Sequence, residues 1–505
     1  MSAQREGGAV SLPTSNAVLA ERYDAIPYAA LPHARTHPDR LATVAAFLGL
    51  APPPVERCRV LEVGCNDGAN LIPMALGLPG ATFVGCDLSP RALAAGRATI
   101  AALGLRNITL VEEDLAALDP AHGGFDYLIA HGVYSWVPPP VRDSLFALAR
   151  ERLAANGVMF VSYNALPGSQ VRSGAWDVLH HAVDGVADPR ERMVAARQLA
   201  RLIAAGPRSP HEGDEALRAE FRALAERPDS ALFHDDLAVP NDPVFFHALV
   251  EHAARFGLAF LGEADVHTMS ATGLSPEARA MLSAQAPLQR EQYLDFLRLR
   301  RFRQSLLCRQ DAPIDRSMAP ARFDAMHVGA DASLLRAAVA GKVAELAAGL
   351  DPAGGGQGAT RALLEALIAA APAVMPMADL RASFATTVSR PLPALLTDAY
   401  VSSLVTLHLC PPVLAVTAGE RPLASSLARL QCETQDDVTT LQHSRVRLED
   451  PNARRLLALC DGTRDRAALA RALQAPPATL ASAEAASFVE HALPQFARLA
   501  LLVSA

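Results

Sequence analysis

Lysine is almost absent from this sequence of 505 residues, although basic side chains are common. Lys342 is the one lysine among its 46 lysine and arginine residues. Codon usage in a GC-rich genome best explains both this scarcity and the abundance of alanine. A less favoured explanation is that the scarcity of lysine protects the protein from modification of its own lysine side chains. The formal net charge of −7 predicts no general attraction to nucleic acid or to an anionic membrane.

Long apolar segments and paired cysteines are missing as well. No uncharged apolar run reaches about 18 residues, the length that a membrane-spanning helix needs. The N-terminal sequence MSAQREGGAVSLPTSN lacks the apolar core of a secretory signal. The seven cysteines form no C-x-x-C pair, so neither a disulfide framework nor a metal site is predicted. Half the residues are hydrophobic, and we expect a soluble, globular protein of the cytoplasm.

Short β-rich runs alternate with helical stretches through the first third of the chain. This alternation is typical of a parallel sheet with helices on both faces, and it predicts an α/β, Rossmann-like fold. The predicted strands are 58–63, 82–86, 107–111, 125–130 and 157–163. A helix at 243–256 and two more short strands at 258–261 and 305–308 are expected to complete the sheet much later.

The length of the chain predicts more than one domain. We expect a sheet domain at 1–311 with a helical insertion at about 167–241. A mainly helical middle region at 312–421 and a small winged-helix-like domain at 422–505 follow. Since the insertion comes after the fifth strand, it should lie above the carboxyl edge of the sheet, where ligands of such sheets bind.

The sequence VLEVGCNDGANL at 60–71 predicts a nucleotide-binding turn after the first strand. Gly64 and Gly68 would let the backbone approach a ligand closely. Three bulkier residues separate them, unlike the G-x-G-x-x-G turn that seats a pyrophosphate, so a ligand without phosphates is favoured. Glu62 lies just before the turn, where a carboxylate could meet the ammonium group of a ligand.

Acidic residues follow the next two strands. Asp87 ends the second strand, where a carboxylate can accept hydrogen bonds from both hydroxyls of a ribose. Asp114 follows the third strand, at the place where methyltransferases hold an adenine amino group. A glycine turn with acids at two successive strand ends therefore predicts S-adenosyl-L-methionine as the ligand.

Several segments resemble bacterial methyltransferases that carry a methyltransferase regulatory domain, among them the protein-lysine methyltransferases that modify rickettsial outer-membrane protein B. The similar segments are YDAIPY at 23–28, LPHARTHP at 31–38, AHGVYSWVP at 130–138, VSYNALPG at 161–168, EQYLDF at 291–296 and CDGTRDR at 460–466. The resemblance covers about residues 17–310 closely and the remainder of the chain loosely. It implies a class I methyltransferase sheet, a substrate-recognising middle domain and a homodimer. It also implies a protein substrate, such as an outer-membrane or surface protein, that is methylated on lysine.

The motifs and the resemblance together predict the residues of the site. The cofactor is expected to contact Glu62, Gly64, Cys65, Asn66, Gly68, Asn70, Asp87, Leu88, Ser89, Asp114, Leu115 and His131. Tyr134 and Trp136, after the fourth strand, are expected to line the channel of the methyl acceptor, with His131 as a cofactor contact or, less favoured, a general base. Tyr23 and Tyr28 are predicted to bind the substrate and to form a lid over the cofactor, and His234 and Asp235 to hold the substrate.

Two other functions stay open at this point: a small-molecule methyltransferase and a catalytically silent scaffold that binds the cofactor. The absence of a [DN]-P-P-[YFW] motif after the fourth strand argues against methylation of adenine N6 or glutamine amides. The C-terminal third is expected to recognise a polypeptide and not DNA, because its arginines are interleaved with acids. Deletion from about residue 312 should then leave cofactor binding largely intact.

Overall fold

The computed structural model describes residues 31–207, 211–315, 319–352, 355–476 and 480–503, together with Ile26 and Tyr28. Seven strands form its main sheet, in the order β3-β2-β1-β4-β5-β7-β6. They are β1 (Arg59–Val63), β2 (Thr82–Asp87), β3 (Ile108–Glu112), β4 (Phe125–Ala130), β5 (Leu153–Asn164), β6 (Leu258–Glu263) and β7 (Phe302–Arg309).

The topology of this sheet confirms the predicted fold class. Strands β1 to β5 run parallel, and β7 lies antiparallel between β5 and β6. The central strands are nearly continuous apolar runs because helices cover both faces of the sheet. Leu128, Ile129, Phe160 and Val161 accordingly have no solvent exposure.

The first four helices connect or flank the parallel strands: α1 (Pro38–Phe47), α2 (Leu71–Gly77), α3 (Pro90–Leu103) and α4 (Pro139–Arg152). Helix α3 begins as its sequence predicts. The Ser89 hydroxyl accepts a hydrogen bond from the Ala92 N–H at 3.1 Å, and Pro90 occupies the first turn. This cap fixes the direction of the chain directly after Asp87.

A helical insertion with its own small core separates β5 from the end of the sheet. It contains α5 (Gln170–Ala182), α6 (Pro189–Ala204), α7 (Glu212–Ala225), one turn at Asp229–Ala231 and a π-helix at Leu232–Asp236. Leu179, Phe221 and Leu224 pack together inside it. Helices α8 (Phe246–Arg255), α9 (Pro276–Ser283) and α10 (Pro287–Arg298) then accompany β6 and β7.

The middle region is mainly helical, but it also contains a small sheet that the sequence analysis missed. Its helices are α11 (Ala332–Val339), α12 (Val343–Leu350), α13 (Gln357–Ala370), α14 (Met377–Phe384) and α15 (Leu392–Val401). The sheet has the order β10-β8-β9, with β8 (His327–Ala330), β9 (Met375–Pro376) and β10 (Val405–His408). Strands this short carry almost no periodicity for a sequence pattern to reveal.

The hydrophobic core of the catalytic sheet continues into the middle region. The ring of Phe47 in α1 makes edge contacts with Phe323 at 6.0 Å and Tyr400 at 5.1 Å between centroids. Asp39 in α1 is buried and accepts hydrogen bonds from the backbone N–H groups of Leu409 and Cys410. These contacts join the two regions through buried apolar and polar groups.

The C-terminal region has a separate core formed by four helices and a hairpin in the described residues. Its elements are α16 (Ser426–Gln431), β11 (Asp437–Thr439), β12 (Arg445–Arg447), α17 (Pro451–Leu459), α18 (Arg466–Leu473) and α19 (Ser482–Arg498). Leu456, Leu469 and Leu493 are fully buried in that core. In the described part of the chain, no helix is both long and apolar enough to cross a membrane.

Candidate active site

A cavity of about 770 Å³ opens at the carboxyl edge of the sheet. Its floor is formed by the ends of β1, β2, β3 and β4, and its far wall by the helical insertion. Tyr28 lies against one side. The cavity therefore occupies the place where ligands of open α/β sheets bind.

The glycine turn after β1 forms one end of the cavity. Gly64 has φ +69°, and a Cβ atom there would lie 3.2 Å from the side chain of Val133. Asn66 also adopts a left-handed conformation, with φ +52°. Its N–H donates to one carboxylate oxygen of Asp87 at 2.7 Å, and the Ser89 N–H donates to the other at 2.9 Å. The turn thereby fixes the orientation of the Asp87 carboxylate in the cavity wall.

Eight of the predicted cofactor contacts line the cavity: Gly64, Asn66, Asp87, Leu88, Ser89, Asp114, Leu115 and His131. Cys65 and Gly68 do not line it, which corrects the prediction for both. The Cys65 thiol is buried against Gly85, and Gly68 adopts a left-handed conformation that favours glycine, with φ +74° and the Leu110 side chain 3.2 Å from where a Cβ would lie. Gly68 thus permits α2 to pack closely on β3.

Glu62 and Asn70 lie buried behind the glycine turn and not in the cavity wall. The Asn70 side-chain amide donates to Glu62 Oε1 at 2.7 Å. Glu62 Oε2 is buried and has no hydrogen-bond partner among the described residues. Burial, reinforced by the charges of Asp87 and Asp67, raises the pKa of Glu62 to about 8, although the Asn70 hydrogen bond opposes this. A cation placed beside Glu62 would favour the ionised form of its carboxyl group.

His131 forms the boundary between the two halves of the cavity. Its ring stacks on His33, with centroids 3.9 Å apart, and more distantly on Phe160. Burial and then the proximity of His33 lower the pKa of His131 to about 3. With this pKa the imidazole is neutral but only weakly basic at pH 7, which fits a contact with a ligand better than the role of a general base.

The other half of the cavity is walled by aromatic rings and ion pairs. Both tryptophans of the chain, Trp136 and Trp176, line it. The indole N–H of Trp136 is buried and has no hydrogen-bond partner in the described part of the chain. Asp235 contacts Arg227 at 3.1 Å and the Tyr28 hydroxyl at 3.4 Å. Burial raises the pKa of Asp235 to about 6, against the nearby charge of Arg227.

Asp236 is a buried carboxylate that pairs with several side chains of this wall. Its carboxylate has no solvent exposure and accepts hydrogen bonds from Arg172, Arg227 and the indole N–H of Trp176. The network joins α5 to the π-helix, so it holds Trp176 and Asp235 in place. In the described residues, no group of three or more His, Cys, Asp or Glu side chains is arranged to hold a metal ion.

Tyr134 lies outside the cavity, contrary to the prediction that it lines the acceptor channel. Its side chain is buried in the core, and its hydroxyl pairs with His252 Nδ1 at 2.9 Å. Tyr134 and Trp136 belong to one 3₁₀-helical turn, in which residues two positions apart point to different sides. Only Trp136 of the two can therefore face the ligand.

The predicted substrate residues have different positions. Asp235 and His234 both line the cavity. The His234 ring also contacts the carbonyl oxygen of Ile26 through Nε2, at 2.6 Å, so it holds the segment that carries Tyr28. Tyr23 lies outside the described residues.

Sequence reasoning missed several residues of the cavity wall. They come from the insertion and from the ends of β5 and β7: Asn164, Arg172, Trp176, Arg227, Arg301 and Phe302. No local motif connects positions so far apart in the chain. The one available signal was the presence of a second tryptophan in a sequence with only two.

Three family models match parts of the chain. A methyltransferase domain matches residues 61–159, a predicted methyltransferase regulatory domain matches 228–309, and the C-terminal winged helix domain of PKMT matches 420–479. The regulatory-domain match runs from the end of the insertion to β7. It therefore covers β6 and β7 of the main sheet and not the helical middle region.

Two relatives from Rickettsia prowazekii (strain Madrid E) are similar to part of the chain. The uncharacterized protein RP789 is 36% identical over 300 residues, which are 59% of this chain and 54% of the relative. The uncharacterized protein RP028 is 30% identical over 236 residues, which are 46% of this chain and 94% of the relative. The chain thus matches about half the length of RP789 and nearly all of RP028.

The solved structure of PKMT2 from Rickettsia typhi has the same fold along its whole length. The superposition covers 95% of this chain and 100% of PKMT2, with a TM-score of 0.78 and 22% identity. A second structure of PKMT2, in complex with AdoHcy, matches equally well. The middle and C-terminal regions are therefore part of the shared architecture, as the sheet is.

Proposed function

The chain belongs to the bacterial methyltransferases that carry a methyltransferase regulatory domain and a PKMT-type winged-helix domain, and we propose that it methylates lysine side chains of a protein. S-adenosylmethionine is the methyl donor. One observation carries the proposal: a single cavity connects the glycine turn to a chamber walled by both tryptophans and Asp235. Donor and acceptor can therefore meet inside one space.

The residues around the glycine turn fit S-adenosylmethionine. Asp87 would accept hydrogen bonds from the ribose hydroxyls, and Asp114 with Leu115 would hold the adenine. Glu62 Oε2, a buried acceptor behind the glycine turn with no partner in the described residues, suits the ammonium group of the methionine portion through a bridging water. When bound, the cofactor supplies an electrophilic methyl group on a positively charged sulfur.

The acceptor half of the cavity fits an entering lysine. A lysine ammonium must lose its proton before it can act as a nucleophile, at a cost of about 4.6 kcal/mol at pH 7. The ring of Trp136 guides the cation, and Asp235 attracts it and accepts its proton. Desolvation between the aromatic walls also lowers the pKa of the amine. The protein thus contributes alignment, desolvation and proton removal.

A polypeptide substrate is favoured by a second, shallower cavity of about 390 Å³ beside the first. The two share Pro138, Trp176 and Pro240 as lining residues. The outer cavity also contains Asp177 and Asp242. It offers room for the main chain on either side of a lysine whose side chain enters the inner chamber. We further propose that the enzyme is a cytoplasmic homodimer and that its substrate is an outer-membrane or surface protein.

Transfer of a labelled methyl group tests the proposed activity. Purified protein is incubated with S-adenosylmethionine labelled in the methyl group and with a bacterial lysate, and the protein and small-molecule fractions are then separated. We expect label in protein. Label confined to small molecules would instead identify a small-molecule methyltransferase, and label in neither fraction would identify a silent cofactor-binding scaffold.

Asp87→Ala is the matched control for this assay. It removes charge-assisted hydrogen bonds to the ribose and should weaken cofactor binding by about 1.5–3 kcal/mol. Transfer at low cofactor concentration should fall accordingly, while calorimetry measures the loss of affinity directly. Lys342→Arg removes the one lysine of the chain, so label remaining on the enzyme could not be lysine self-methylation.

A further inference from the structure

The tip of the C-terminal hairpin, formed by β11 and β12, contacts Asn70, which lies buried behind the glycine turn. His443 lies between β11 and β12 in a left-handed conformation, with φ +56°. Its side chain is buried although it belongs to a surface hairpin. Burial, followed by the proximity of His37 and His33, holds the pKa of His443 well below its ordinary value. The ring is therefore neutral and inserted into the catalytic region.

The partner of His443 is Asn70, whose amide orientation is fixed independently. The backbone N–H of His33 can only donate, and it lies 2.8 Å from Asn70 Oδ1. That oxygen must therefore be the acceptor, and His443 Nε2, at 2.9 Å, must donate to it. The opposite end of the amide then points its N–H groups toward Glu62 and Thr36.

These contacts form a chain of two hydrogen bonds from the C-terminal region to Glu62. The first joins His443 to Asn70 at 2.9 Å, and the second joins Asn70 to Glu62 Oε1 at 2.7 Å. All three side chains are buried. The LPHARTHP segment at 31–38 surrounds this chain, because His33 and Thr36 contact Asn70 and the His37 ring lies 5.3 Å from that of His443.

We propose that His443 is a positioning residue for cofactor binding. The C-terminal region supplies the hydrogen bond that holds Asn70, and through it Glu62, in the orientation that receives the cofactor. The methyltransferase site is consequently complete only when the winged-helix region is docked. This inference rests on the proposed S-adenosylmethionine site.

Two substitutions of His443 separate positioning from simple packing. His443→Gln keeps an N–H donor near the position of Nε2, whereas His443→Leu removes the donor. Both keep the left-handed backbone, so any backbone strain is shared. By calorimetry, we expect His443→Leu to weaken S-adenosylmethionine binding roughly three- to tenfold and His443→Gln to remain within about twofold of the wild type. Arg447→Ala, on an exposed part of the same hairpin, is the neutral control.

A double variant tests whether the effect passes through Glu62. If it does, His443→Leu should weaken binding much less in a Glu62→Gln background than alone. Fully additive losses, or a failure of His443→Gln to restore affinity when thermal unfolding shows that it is folded, would overturn the inference. Wild-type affinity in His443→Leu would overturn it too. Absence of binding by the wild-type protein would instead overturn the proposed function together with this inference.

Discussion

Glu62 is a buried carboxyl group whose protonation should change when the cofactor binds. Its pKa is raised to about 8, so it is mostly neutral at pH 7 in the free protein. The ammonium group of the cofactor would lower that pKa and expel the proton. Binding should therefore release protons at pH 7, and the affinity should increase from about pH 6 towards pH 8, since less of the carboxyl has to be deprotonated.

Calorimetry in two buffers of different ionisation enthalpy measures this proton release. Glu62→Gln has nearly the same shape but no titrating proton, so it is the matched control. Its binding should release fewer protons and depend less on pH over the same range. Equal proton release by the variant and the wild type would show that another group titrates.

Trp136 is the second residue whose role can be measured separately. Trp136→Ala should reduce methyl transfer by about tenfold or more, the equivalent of a cation–π contact of 1–2 kcal/mol, while cofactor affinity changes little. Trp136→Phe keeps a smaller aromatic face and loses the indole N–H, so it should retain more activity than the alanine variant. Parallel losses of transfer and cofactor affinity in both variants would indicate a packing role.

The part of the cavity at the ends of the strands could be predicted from the sequence, and the part formed by the insertion could not. Asp87 and Asp114 directly follow strands, and the carboxyl ends of parallel strands meet at one edge of the sheet. Trp176 and Arg227 reach the cavity only because the insertion folds back over that edge. Tyr134 was assigned to the wrong side because the sequence did not show that 134–136 forms a 3₁₀ turn.

The helical insertion depends on the charge network around Asp236. Asp236→Ala leaves the part-buried guanidinium groups of Arg172 and Arg227 without their shared carboxylate, and should destabilise the protein by about 3–5 kcal/mol. Asp229→Ala removes an ion pair whose carboxylate is 70% exposed, and should cost less than about 1 kcal/mol. Denaturant unfolding measures the free energy of unfolding of both variants. Similar losses of stability in the two variants would contradict this account of the cavity wall.

At the scale of the elements, the length of a strand largely determined whether the sequence could predict it. The parallel strands of the main sheet were found because each is an apolar run between turn residues. Strands β8 and β10 have four residues each, and β9 has two, so their pairing depends on tertiary contacts. The Ser89 cap of α3 was predictable because a helix cap is a local sequence signal. The core shared by α1 and the middle region was not predictable, because it joins segments that are distant in the sequence.

At the scale of the whole molecule, the main sheet and the middle region share one hydrophobic core, which changes the expected result of truncation. The sequence predicts that deletion from about residue 312 leaves cofactor binding largely intact. In the structure this deletion would expose Phe47, remove the hydrogen-bond donors of Asp39 and separate His443 from Asn70. We therefore expect the truncated protein to unfold at a lower temperature and to bind S-adenosylmethionine weakly. A stable fragment with wild-type affinity would contradict this view of the core.

Identification of the methylated atom tests the central claim most directly. Protein labelled by the wild-type enzyme is digested, and tandem mass spectrometry locates the transferred methyl group, with Asp87→Ala as the background control. The account predicts methylation of lysine Nε atoms in one or a few proteins of the lysate. Methyl groups found only on other side chains or only on small molecules would contradict it.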